Sequence, residues 1–101
     1  MNEPKNFASM AELRVGIDAV DEQIVELLAY RTQLIARAAE LKQVEHMPAR
    51  INWRVEDVVS KVKAKAAKAG MDVGLAERLW REMIDHFIAQ EEQVLGKGNG
   101  S

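Results

Sequence analysis

Apolar residues recur in steps of four and three along the first half of the chain, at Leu13, Ile17, Val20, Ile24, Leu27, Leu34, Ala38 and Leu41. That spacing gathers them on one face of a helix. The run starts just after Ser9-Met10-Ala11-Glu12, where a serine three residues ahead of a glutamate can form a capping box, and it ends before Pro48, which disfavours further helix. One long helix from Met10 to about Glu45 is predicted. A second set, Val55, Val58, Val59, Val62, Ala66 and Ala69, predicts a helix from about Asn52 or Trp53 to Ala69 despite four β-branched valines, with Gly70 as its stop. A third, from Asp72 or Val73 to about Leu95, carries a broad apolar face of Leu75, Leu79, Trp80, Met83, Ile84, Phe87, Ile88 and Leu95, in which Trp80, Met83 and Phe87 are read as core. With no strand pattern and no internal repeat, the expected fold class is all-α, a three-helix chain with a long first helix.

The chain has 101 residues, which fits a single domain over 1–101 with a core at about 10–95 and a flexible glycine-rich tail at 96–101. A helix from Met10 to Glu45 would be ~50 Å long, whereas a compact domain of this size has a radius of gyration of only ~13 Å. The apolar stripe continues along the overhang and needs a cover. A second copy is the simplest one, so an intertwined, two-fold symmetric homodimer is expected.

Charge and composition narrow the function. At 48% hydrophobic and 30% charged residues the chain is an ordinary globular protein. Fourteen Lys plus Arg against sixteen Asp plus Glu leave a net charge of −2, so nothing points to nucleic acid or to a membrane surface, and any anion site is local. The lack of cysteine removes disulfides, thiolate metal sites and a cysteine nucleophile. His46 and His86 have no metal-ligand spacing, the serines have no nucleophile-elbow motif, and there is no glycine-rich phosphate loop. No metal and no cofactor are expected. A short polar N-terminus and the absence of a long apolar run suggest a cytoplasmic protein.

Several residues interrupt these patterns. Arg31 stands where the first stripe calls for an apolar residue, and a charge there is costly unless paired. Two readings are open: a structural ion pair, or an anion site shared with Lys42, which returns to the same face about three turns later. Arg14 lies ~25 Å from Arg31 along the helix, so it is either a solvated arginine or a contribution to the other subunit's site. Arg50 and Arg54 flank the start of the second helix, where free amides also favour anions. Lys61, Lys63, Lys65 and Lys68 read as a solvated basic face. Glu91 continues the apolar series Ile84, Ile88, Glu91, Leu95; it is either enclosed, and then able to donate a hydrogen bond when protonated, or solvated at a fraying helix end.

These residues together resemble the AroQ-class chorismate mutases and the related isochorismate-pyruvate lyases. The matching pieces are Met10-Ala11-Glu12-Leu13-Arg14, Ile17-Asp18, Val20-Asp21, Leu27-Leu28-Ala29-Tyr30-Arg31, Lys42 and Arg54, spread over about residues 10–94. The resemblance implies a small all-helical homodimer with two shared sites. In it Arg31, Arg54 and Arg14 of the partner subunit hold the carboxylates of a small dicarboxylate substrate, and Lys42 and Glu91 flank the ether oxygen of the breaking bond. The implied reaction is the rearrangement of chorismate to prephenate. Ile51 and Val55 stand where many mutases carry acidic residues, and Phe87 where a serine is frequent; Ile51 and Val55 are similar to the lyases, which convert isochorismate to salicylate and pyruvate. Apart from the resemblance, a non-catalytic helical dimerisation or regulatory module remains open.

Overall fold

The structure is a computed structural model that describes residues 2–95. A 3-10 turn at Pro4–Asn6 precedes α1 (Met10–Val44), α2 (Asn52–Ala69) and α3 (Val73–Leu95), and the described residues contain no strand. The all-α expectation holds, with helix limits within a residue or so of those read from the pattern. The tail expected at 96–101 lies outside the described residues. Contacts divide the chain into two compact units, one up to Ala36 and one from Arg37 onward.

In the first unit the capping box forms. Ser9 Oγ accepts from the Glu12 amide at 3.2 Å and Glu12 Oε2 accepts from the Ala8 amide at 2.9 Å, so two amides at the helix start are satisfied by side chains. The preceding segment turns back so that the Phe7 ring lies on Gly16. A methyl group at Gly16 would come within 2.8 Å of that ring, which explains a glycine at a helical position where it costs about 1 kcal/mol relative to alanine. None of the 35 residues of α1 is buried, and Ile17, Val20, Ile24, Leu27, Leu34 and Leu41 of its apolar stripe are 40–69% exposed.

The second unit holds the end of α1 together with α2 and α3. Gly70, at φ 80°, takes the left-handed conformation that closes α2, and Asp72 Oδ1 caps the Leu75 amide at 2.8 Å, so a short connection returns the chain antiparallel. Lys63 then faces Glu77, and Glu56 faces Arg81. The core contains Ala49, Val59, Ile84 and Ile88, with Val55, Val58, Trp80 and Leu95 packed against it. Trp80, Met83 and Phe87, expected as core, are only partly buried. The basic face of α2 is also less uniform than expected. Lys61 pairs with Asp57 and Lys63 with Glu77, while Lys65 and Lys68 are exposed. No described helix is long and apolar enough to cross a membrane.

Arg81 ties α3 to α2. Its Nη1 and Nη2 donate to both oxygens of Glu56, at 3.0 and 2.9 Å, and its Nε donates to Glu77 at 2.8 Å. These bonds hold the Glu56 and Glu77 carboxyls below the usual range. A carboxylate depressed in the folded state contributes stability above its unfolded pKa and loses it as pH falls through the folded value. Arg81→Met is therefore expected to lower Tm at neutral pH, and the gap from the unaltered protein should narrow as pH falls below the ordinary carboxylate range and through the lowered folded values of Glu56 and Glu77. A gap that persists unchanged in acid would assign the effect of Arg81 to packing of its stem.

Candidate functional site

The end of α1 is set by a residue rather than by the proline that the sequence offers. His46 sits at φ 57°, the left-handed position usually given to glycine, and the Met47 amide then donates to the Lys42 carbonyl at 2.8 Å. The chain reverses there, carrying Ala49 into the core, where it is 1% exposed.

This reversal brings the Ala49 carbonyl to the Lys42 side chain. Lys42 Nζ donates to that oxygen at 2.6 Å and to Glu91 Oε2 at 2.7 Å. Glu91 comes from the apolar face of α3 and its side chain is 7% exposed; that of Lys42 is 19% exposed. The carboxylate is enclosed, and the reading of Glu91 as a solvated residue at a fraying end is set aside. A group so removed from water needs its partner, since an unpaired buried charge is costly. An ammonium carries three donors. With two accepted by protein groups, one N–H of Lys42 is left to act on a bound molecule. A cavity of about 220 Å³ adjoins it, bounded by Lys42, His46, Met47, Pro48 and Leu95 among others.

Other expected site residues lie in the same unit. Arg54, in the first turn of α2, donates from Nη1 to Asp57 Oδ2 at 2.7 Å, and Lys61 donates to the same oxygen at 3.0 Å. These two bonds, Lys61's first, hold the Asp57 carboxyl below the usual range. Arg50 pairs with Asp85 of α3 at 2.9 Å. Ile51 precedes α2 with an extended backbone, its carbonyl accepting from the Arg54 and Val55 amides at 3.0 and 3.1 Å. Val55 packs on the core, and Phe87 meets His86 edge to face with ring centroids 5.0 Å apart. Arg14 and Arg31 belong to the first unit, Arg14 exposed and Arg31 partly buried. The structure thus joins Lys42 directly to Glu91, and Arg54 to an aspartate that the sequence reading passed over. The signal for Asp57 was present: it stands three residues after one cation and four before another, the spacing at which helical ion pairs form. The Ala49 carbonyl had no sequence signal. Among the described residues, no cluster of three or more histidine and carboxylate side chains could hold a metal ion.

Comparison with known proteins completes the description. Residues 13–92 match the profile of the family described as chorismate mutase type II. A chorismate mutase of Methanocaldococcus jannaschii is 26% identical over 85% of this chain and 87% of its own length. An isochorismate pyruvate lyase of Pseudomonas aeruginosa is 28% identical over 90% of this chain and 89% of its own. A bifunctional chorismate mutase/prephenate dehydratase of Aquifex aeolicus is 28% identical over 84% of this chain, which spans only 24% of that longer protein. No solved structure matches the chain significantly.

Proposed function

The chain belongs to the chorismate mutase type II family, and from that premise we propose that it is an isomerase that rearranges chorismate to prephenate. The observation that carries this reading is the enclosed Lys42–Glu91 pair, anchored at 2.6 Å on the Ala49 carbonyl with one lysine donor unspent. In this rearrangement a C–O bond breaks and a C–C bond forms within one molecule, so no nucleophile, metal or cofactor is needed. What it needs is a dianion held in a compact conformation and donors placed where negative charge develops on the ether oxygen. Lys42 supplies one such donor. Glu91 supplies a second when protonated. Arg31, Arg54 and Arg14 of the partner subunit hold the two carboxylates.

On this reading the active unit is a homodimer with two shared sites, a single domain per chain, working in the cytoplasm. The exposed apolar residues of α1 in the first unit, Ile17, Val20, Ile24, Leu27 and Leu34, support the second copy, because such an exposed apolar stripe calls for burial. A chain without cysteine suits a reducing compartment.

A specific observation favours a second reading, isochorismate-pyruvate lyase. Val55 is packed on the core and Ile51 is apolar, so neither offers an acceptor for the ring hydroxyl of chorismate. A hydrogen-bonding residue at such a point can be worth a large discrimination between substrates. Product identification from each substrate separately is the test. Prephenate from chorismate is the expected outcome, and salicylate with pyruvate from isochorismate would move the assignment to the lyase.

A further inference from the structure

Among the described residues only Asp57 engages the Arg54 guanidinium, through Nη1 at 2.7 Å. Arg54, Asp57 and Lys61 fall within about 60° of one another on α2, beside the side on which Val55, Val58 and Val59 pack on or in the core, since a helix turns about 100° per residue. The three side chains therefore form a row at the edge of the core-facing side, with Arg54 and Lys61 exposed and Asp57 partly so. An arginine in that position would ordinarily sample many rotamers and would lose that freedom on gripping a carboxylate. Here one edge of the fork is already fastened, and the edge formed by Nε and Nη2 is left to bind two carboxylate oxygens in the planar geometry that guanidinium groups favour.

We propose that Asp57 is a positioning residue for substrate binding: it presets Arg54 for a substrate carboxylate, and Lys61 offsets the negative charge that Asp57 brings close to a dianion. The role rests on the reading of Arg54 as a carboxylate grip. Asp57 remains ionised through the neutral range because Lys61 and Arg54 both stabilise its charged form. Lys61 is exposed, at 59% of its side chain, so it neutralises Asp57 without being drawn into the site.

Removing Asp57 has two opposed effects on KM, because the fastened geometry is lost while a repulsive charge is removed. The second is screened at about 0.5 M salt, where the Debye length is ~4 Å. Under those conditions Asp57→Asn in the full chain should raise KM about 5-fold for whichever substrate the protein turns over, with kcat within about twofold. Asp57→Glu should recover part of the loss. In an Arg54→Ala background Asp57→Asn should raise KM no further, a coupling that a merely structural role would not show. An unchanged KM in Asp57→Asn where Arg54→Ala raises it overturns the positioning role alone, as does an equal rise in both backgrounds. A protein that turns over neither chorismate nor isochorismate, or an Arg54→Ala variant with unaltered KM, overturns the reading of the site and the role of Asp57 with it.

Discussion

Lys42→Ala is expected to lower kcat by about 10³-fold, because removing a single donor to developing oxyanion charge costs on the order of 10²- to 10³-fold and here the lost donor also carries a full positive charge. The same substitution should destabilise the fold. It leaves the Glu91 carboxylate enclosed without its cation and frees the buried Ala49 carbonyl. Breaking a buried pair from one side costs about 3–5 kcal/mol, and since the Lys42 side chain is 19% exposed the loss should fall near the lower end of that range. Activity and stability therefore fall together in the single variant, so it cannot separate a catalytic lysine from a structural one. The double variant Lys42→Ala/Glu91→Gln does so. It has no orphaned charge, and its Tm should recover most of the loss while turnover stays low. Recovery of turnover along with Tm would make the pair structural and favour the dimerisation-module reading.

Glu91→Gln is expected to raise turnover. An ionised carboxylate accepts from Lys42 but has no proton to donate to the ether oxygen, and its charge opposes the negative charge that develops there. Protonation reverses both effects. Lys42 of α1 is the charged group that faces Glu91, and the Ala49 carbonyl fixes that lysine in place. Glutamine offers an amide donor without that charge, so Glu91→Gln should turn over about 10-fold faster than the unaltered protein. Steady-state kinetics of the two proteins check this, and equal or slower turnover in Glu91→Gln contradicts the account in which the charge of Glu91 opposes the reaction.

The helices were legible in the sequence because their signals are local. The apolar steps from Leu13 to Leu41, the Ser9–Glu12 box and Gly70 each act within a few residues, and each appears where the pattern put it. The interruption at Glu91 was also visible as a polar residue in an apolar series, but its burial depends on what packs against α3. Spacing along α1 alone suggested Arg31 as the companion of Lys42. The partners that the structure gives Lys42, Glu91 and the Ala49 carbonyl, come from a distant helix and from a reversal of which Pro48 announced the place but not the geometry. That reversal rests on His46 in a conformation most often reserved for glycine, at a cost that the Met47 and Ala49 contacts offset. The Asp57 link to Arg54 was within reach of helical spacing, but Lys61 reads with Lys63, Lys65 and Lys68 as a solvated basic face, which leaves Asp57 without notice.

The most direct test is to give the purified protein chorismate and isochorismate in separate incubations and to compare kcat/KM for each identified product. Prephenate as the efficient product of chorismate, with little salicylate from isochorismate, is the expected result and means that something other than an acidic residue at Val55 holds the ring hydroxyl. Salicylate and pyruvate formed far more efficiently would contradict the mutase assignment and make Ile51 and Val55 the mark of a lyase, and formation of neither product would contradict an enzymatic role for the Lys42–Glu91 pair.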